Sequence, residues 1–380
     1  MITRRSEYGG LRGKLFEIDW LLPTLIFMTG LLGVAMIYAS TKGVWDAGAQ
    51  QHLTRLIMGL SLMILIAVID FRFWFGMAYP AYLASLLLLI GVEVFGVSVN
   101  GSQRWLDIYV TRIQPSEIMK LAVVLALARF YHDLPDWRIS KPTGVLGALI
   151  IIALPALLVL RQPDLGTTLL IIAPGLMIIF LAGVRWRIIG SGLIAAAIAV
   201  PLFYKFGLKD YQRERIWTFL DPSRDPSGAS YHITQSKIAL GSGGVNGKGF
   251  MKGTQANLDY VPENRTDFIF TVIGEQFGLL GGIGMMALYM GIAAICMIIA
   301  ARMKNVFSKL MIAGITATFM LYVYINLAMV TGLAPVVGVP LPLISYGGTV
   351  MLVVLAGFGL ILSAHVHRNS DLPRGAGLLL

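Results

Sequence analysis

Residues 257–278 read NLDYVPENRTDFIFTVIGEQFG, and the change of character within them decides the class of fold. The stretch closes the longest polar segment of the chain and leads into an apolar run that continues to about residue 300. Asp267 stands at the junction, two residues after Arg265 and eight before Glu275. A carboxylate at the mouth of an apolar helix is costly unless something requires it there. An N-terminal helix position suits a carboxylate on dipole grounds alone. The long preceding loop and the neighbouring Lys252, Glu263 and Arg265 favour a reaction centre. Two helical turns separate Asp267 from Glu275, which puts both near one face.

Outward from this stretch the whole chain is apolar. Of 380 residues 57% are hydrophobic and 13% charged, where soluble domains carry about 25% charged residues. Apolar runs of about 20 residues indicate membrane-spanning helices, since barrel strands would alternate every second residue. The expectation is an all-α integral membrane protein of about ten transmembrane helices, a single polytopic domain over residues 1–380. The runs fall near residues 20–40, 53–69, 77–97, 116–130, 143–160, 166–183, 188–204, 266–300, 310–330 and 350–365. The eighth is too long for one straight crossing. Its glycines at 278, 281, 282 and 284 suggest an interfacial lip helix followed by the true span. The apolar but Pro/Gly-rich segment at 331–349 reads as a re-entrant or broken helix, because exposed backbone is not tolerated in lipid. Residues 98–115 read as a polar loop, with a weak glycosylation-like triplet at Asn100-Gly101-Ser102.

The net charge of +10 fits orientation and contact with anionic membrane lipids, with no basic stripe suited to nucleic acid. Ten spans put both termini on one side. That side holds 15 Lys and Arg, and the other holds six once the long 206–265 segment and the adjoining Lys205 are discounted. The positive-inside rule then makes the termini cytoplasmic and the long loop extracytoplasmic. The single cysteine, Cys296, excludes an intrachain disulfide.

Several ionisable residues lie at or inside span ends toward the outer half. Glu117 and Lys120 are spaced to share a helix face and pair, either as a structural ion pair or as a ligand contact. Asp164 suits a helix cap as well as a site, and Arg55 suits snorkelling as well as a site. Within the long loop, residues 231–239 read as a short helix. The glycine-dense run at 241–249, with Lys248, reads as a flexible turn or a phosphate cradle.

Arg104-Trp105-Leu106, Gln114-Pro115-Ser116-Glu117 with Lys120, and Gln162-Pro163-Asp164-Leu165-Gly166-Thr167 together resemble the SEDS proteins (shape, elongation, division, sporulation). So do Pro262-Glu263 before Thr266-Asp267-Phe268-Ile269-Phe270, and Pro340-Leu341-Pro342 with Ser345-Tyr346-Gly347-Gly348. The resemblance runs in order from Asp19 to Arg368, and the short amino-terminal tail resembles the elongation branch more than the division branch. It implies a peptidoglycan glycosyltransferase of the bacterial cytoplasmic (inner) membrane that polymerises lipid II. The partner it implies is a class B penicillin-binding protein, the transpeptidase that cross-links the product. It places the family's essential aspartate on Asp267 as general base for the acceptor GlcNAc 4-hydroxyl. Inversion at the donor sugar fits a single displacement with one base. Arg55, Glu117, Lys120, Asp164, Lys248 and Arg265 are the substrate-binding candidates, the cations to hold diphosphate and Glu117 to orient Lys120. A divalent cation is a possible cofactor, although no ligand cluster marks a metal site. One departure is Arg265, where the family places a histidine. A lipid II flippase, a docking scaffold for the transpeptidase and a related glycan ligase are the competing readings.

Overall fold

The computed structural model describes residues 10–99, 102–108, 111–207, 210–221, 229–258, 260 and 263–373. The triplet at Asn100-Gly101 and the loop cations Lys209 and Arg224 lie outside these residues, as does Pro262. Fourteen α-helices and three short strands are present among the described residues. They are α1 (Leu11–Phe16), α2 (Leu21–Ser40), α3 (Ala47–Val68), α4 (Phe71–Phe95), β1 (Val97–Val99), β2 (Ser102–Ile108), β3 (Thr111–Ile113) and α5 (Pro115–Asp133). Then come α6 (Pro142–Arg161), α7 (Leu165–Leu181), α8 (Trp186–Phe206), α9 (Asp210–Leu220), α10 (Ala229–Gly243), α11 (Thr254–Asn257), α12 (Ile269–Arg302), α13 (Val306–Val330) and α14 (Gly348–Val366).

Eight helices are long and apolar enough to cross a membrane: α2, α3, α4, α6, α8, α12, α13 and α14. The two remaining expected spans are α7, apolar but only 17 residues long, and α5. The 19-residue α5 carries Glu117, Lys120, Arg129 and Asp133, yet it is mostly buried. Its charges pair inside the helix layer, Lys120 with Glu117 and Arg129 with Asp133. The protein is therefore a multi-pass membrane protein, with eight candidate spans among the described residues and α5 and α7 packed with them.

α13 is the centre of the bundle, packed against α5, α7 and α12 and buried over most of its length. No described residue of α8 is buried, although the helix is apolar, so its surface is left for lipid or another chain. One end of the bundle is fixed by aromatic contacts. The ring of Phe75 in the first turns of α4 meets His132 at the end of α5 and Phe307 at the start of α13, with centroids 5.3 and 5.0 Å away.

The predicted polar loop at 98–115 is instead partly sheet. β1, β2 and β3 form a three-stranded antiparallel meander, with Val97 opposite Trp105 and Leu106 opposite Ile113. Short strands with Arg, Gln and Asp in them carry too weak an alternation to stand out between two apolar helices. The meander delivers Arg104 and Trp105 beside the start of α5.

The long eighth run behaves as expected. α12 is interrupted at Gly278, whose φ of 65° and ψ of −159° are closed to other residues without strain. The glycine-dense run after α10 is neither a flexible turn nor a cradle. Lys248 N donates to Glu275 O at 3.0 Å and Gly249 N to Gln276 O at 2.9 Å. Leu279 N and Leu280 N return bonds to Gly244 O and Val245 O. A Cβ on Gly278 would lie 2.4 Å from Gly247 N. The glycines are there so that two backbones can touch, and the amides of Gly247, Lys248 and Gly249 are already bonded.

Candidate active site

Asp267 lies before α12, in the turn formed by residues 263–268, not one residue into the helix. The two-turn spacing to Glu275 therefore does not put the two carboxylates on one face. Glu275 is fully buried and is sequestered elsewhere. Its Oε1 accepts from Lys248 Nζ at 2.7 Å, from Thr254 Oγ1 at 3.2 Å and from Gln255 N at 2.9 Å.

The Asp267 turn is held by the broken segment at 331–347, as a backbone carbonyl in an apolar setting requires. Asn326 of α13 donates from Nδ2 to Asp267 O at 2.8 Å and to Val339 O at 2.7 Å. Ser345 Oγ donates to Thr266 O at 2.5 Å, and Tyr346 N donates to Arg265 O at 2.8 Å. Gly338, at φ 70°, comes so close that a Cβ there would sit 3.4 Å from Asp267 Oδ2. Glu263 opens the turn at φ 53°, a left-handed conformation that non-glycine residues adopt at a cost.

Asp267 faces a polar cavity of about 450 Å³. Glu117, Lys120, Asp164, Arg104, Glu263 and Tyr322 share its lining. Lys120 Nζ donates to Glu117 Oε1 at 2.7 Å and also meets the Tyr322 hydroxyl, which donates to Glu117 Oε2 at 2.6 Å. All three side chains are buried. Asp164 caps α7 by accepting from Thr167 N at 3.0 Å and also pairs with Arg104 Nη1 at 3.3 Å. It is both a cap and a cavity wall. Arg104 is steadied by the carbonyls of Gln162 and Pro163.

At Gly348 and Thr349 this cavity adjoins a second space of about 680 Å³, between α3, α5 and α14. Its far wall is apolar, with Met58, Leu62, Leu352 and Val353, and its near end carries Arg55 and Arg112. Arg55 lies over the Tyr346 ring at 4.9 Å and touches Gln51 at 3.4 Å, and its buried Nη1 has no hydrogen-bond partner. A polar chamber beside an apolar groove, with Arg55 and Arg112 on the groove's lining, suits a lipid-linked anion.

Of the candidates, Arg55 lines only the second space, and two others line neither. Lys248 is committed to Glu275, because a fully buried carboxylate needs a cation more than the cavity does. Arg265 turns outward to Asp46, Nη1 to Oδ2 at 2.9 Å, and is exposed. The residues that sequence reasoning left without a role are Arg104, Tyr322 and Asn326. Tyr322 and Asn326 are polar residues four apart inside an apolar run, a signal that was there to use. Among the described residues no cluster of three or more His, Cys, Asp or Glu stands ready for a metal ion. The carboxylates of Glu263 and Asp267 line one cavity, and two carboxylates with substrate phosphates suffice for Mg²⁺.

Residues 19–370 match the FTSW_RODA_SPOVE family model, described as cell cycle protein. The chain is 43% identical over 353 residues to the peptidoglycan glycosyltransferase MrdB of Escherichia coli K12, covering 91% of this chain and 94% of that one. It is 32% identical over 360 residues to the probable peptidoglycan glycosyltransferase FtsW of Trichlorobacter lovleyi, covering 92% and 93%. Among solved structures it superposes on a chain of a peptidoglycan synthase complex that coordinates polymerization and crosslinking. The TM-score there is 0.81 at 32% identity, over 93% of this chain and 99% of that one. Thermus thermophilus RodA, a rod shape determining protein, gives a TM-score of 0.70 at 28% identity, over 93% and 98%.

Proposed function

The chain belongs to the FTSW_RODA_SPOVE family of cell cycle proteins, and from that premise we infer that it is a peptidoglycan glycosyltransferase of the elongation type. Its substrate is lipid II, and it works in the bacterial cytoplasmic membrane with both termini in the cytoplasm and the 206–265 loop outside. Lipid II brings a disaccharide and a diphosphate on a polyprenyl tail. The observation that carries this reading is that the Asp267 cavity and the apolar groove lie side by side, with Gly348 and Thr349 in the walls of both. Sugars fit the polar chamber, the tail fits the groove, and the diphosphate falls at the seam beside Arg55 and Arg112.

In the reaction, Asp267 takes the proton of the acceptor 4-hydroxyl. The hydroxyl oxygen forms its bond to C1 of the donor sugar as the bond from C1 to the diphosphate oxygen breaks. The electron pair leaves with undecaprenyl diphosphate, where the guanidinium of Arg55 meets the developing charge. No covalent enzyme intermediate is required, and the anomeric centre inverts. Lys120 is held by Glu117 and Tyr322 toward the same chamber, and Arg104 and Asp164 close its wall. Lys248 and Arg265 are left out of this proposal, since their charges are spent on Glu275 and Asp46. If a divalent cation is bound, Glu263 and Asp267 are the residues that would hold it, and it would supply charge neutralisation for the diphosphate. The partner is a class B penicillin-binding protein that cross-links the emerging strand.

The test is polymer formation from lipid II in detergent by wild type and Asp267→Asn, each with and without the cognate transpeptidase. Polymer from wild type and none from the variant is expected. Near wild-type polymer from Asp267→Asn removes the base assignment. A wild type that makes no polymer but moves lipid II across vesicles removes the enzyme reading.

A further inference from the structure

A second group of cations lies far from the cavity. α5 begins at the cavity and ends beside Phe75 and Phe307, and its 19 residues span about 28 Å at 1.5 Å per residue. Beyond that end the chain turns through a short 3-10 helix, Asp136–Arg138, and enters α6. Trp137 on this turn is 60% exposed. Arg138 Cζ lies 4.8 Å and Lys141 Nζ 4.3 Å from the centroid of its ring. The loop between α7 and α8 meets this turn, with Arg185 N donating to Ser140 Oγ at 3.0 Å. It adds Arg185, Arg187 and a second exposed indole, Trp186, at 68%.

The arrangement is built and not merely accumulated. Arg138 N bonds Pro135 O at 2.8 Å, Lys141 N bonds Arg138 O at 3.0 Å, and a Cβ on Gly144 would collide with Arg138 O at 2.4 Å. The backbone that carries the cations is thus fixed by α6. Two cations share one indole, so their charges lie within about 9 Å of each other and repel. The acids nearby do not relieve them: Asp133 is paired with Arg129, 3.6 Å away, and Asp136 is a single charge against four. An anion seated between the cations removes the repulsion. Exposed indoles belong at the headgroup level of a bilayer, so the anion that fits is carried by a lipid.

We propose that Trp137, Arg138 and Lys141, with Arg185 and Arg187, form a binding site for the headgroup of an acidic glycerophospholipid. The site is on the face of the bundle away from the Asp267 cavity. The phosphodiester lies between the Arg138 and Lys141 side chains, and the indoles of Trp137 and Trp186 sit against the glycerol and upper acyl region. The site holds resident lipid at the α5–α6 and α7–α8 turns and takes no part in the transfer reaction.

Native mass spectrometry of the full-length protein tests this with dioleoylphosphatidylglycerol against dioleoylphosphatidylcholine. Wild type is expected to retain the glycerol lipid preferentially. Each basic residue at an anionic headgroup is worth about fivefold, so Arg138→Gln with Lys141→Gln lowers retention by about 25-fold. Trp137→Leu keeps the charge but loses the ring that gathers it, and at least a fivefold loss is expected. Arg302→Gln with Lys304→Gln removes two exposed cations at the end of α12 and leaves retention unchanged. Glycan synthesis from lipid II in the same preparations shows that each variant is folded. Equal retention of both lipids by wild type overturns the proposal. So does wild-type retention by Trp137→Leu, or an equal loss in the Arg302 and Lys304 variant, either of which reduces the effect to summed charge.

Discussion

Replacing Lys120 by methionine tests whether the buried triad at the start of α5 is a working part of the site or a structural plug. The ammonium is 2.7 Å from Glu117 Oε1, and both side chains are 5% exposed or less. At an effective dielectric of about 20 that contact is worth about 6 kcal/mol before desolvation is subtracted. Removing the cation leaves Glu117 with the Tyr322 hydroxyl at 2.6 Å and no opposite charge. Orphaning one member of a buried pair costs about 3–5 kcal/mol. Lys120→Met should therefore lower the thermal unfolding midpoint in detergent by several degrees. Adding Glu117→Gln removes the stranded charge, and the double variant should recover at least half of that loss. Lipid II polymerisation is read on the same samples. The triad lines the Asp267 cavity, so the double variant should stay at least tenfold below wild type despite its restored stability. A double variant that regains both stability and polymer would show the pair to be structural only. A single variant as stable as wild type would refute the energetic argument.

Three further outcomes follow from the packing. Lys248→Met should destabilise the protein by about 3 kcal/mol or more, since it strands the fully buried Glu275, while KM for lipid II stays within about twofold of wild type; a large rise in KM with unchanged stability would return Lys248 to the substrate. Gly278→Ala should lower the unfolding midpoint sharply, because φ is 65° and the new Cβ would meet Gly247 N at 2.4 Å; thermal unfolding in detergent measures it. Asn326→Leu frees the carbonyls of Asp267 and Val339, so kcat should fall at least tenfold with KM little changed, and Asn326→Asp, which lacks the amide donors, should fail to rescue it.

Much of the architecture was legible without coordinates. A run of about 20 apolar residues states its own solution in lipid, because every backbone group must be satisfied within the segment. That is why helices stand at each of the ten apolar runs among the described residues, and why the interruption at Gly278 and the irregular segment before α14 agree with the sequence. α5 agrees with the span read at 116–130, and its burial despite four charges rests on their pairing. Hydropathy sums residues along a line and does not see that Lys120 and Glu117 cancel across one turn. The three strands after α4 escaped because β1 and β3 have three residues each and the seven of β2, SQRWLDI, do not alternate.

Asp267 was recognisable as an unusual carboxylate because the loop ends and the apolar run begins beside it in the chain itself. Its surroundings were not. Lys248 and Arg265 are close to it in sequence, yet they serve Glu275 and Asp46. Arg104, Tyr322 and Asn326 are remote in sequence, yet the first two line its cavity and the third holds its carbonyl. The physical reason is one of range. Hydropathy and backbone satisfaction act within a segment, so the sequence alone determines that the chain spans a membrane and where the spans lie. Charge pairing is decided by distances of about 3 Å between segments as far as 27 and 219 residues apart, as for Lys248 with Glu275 and Arg265 with Asp46, and only the tertiary structure sets those.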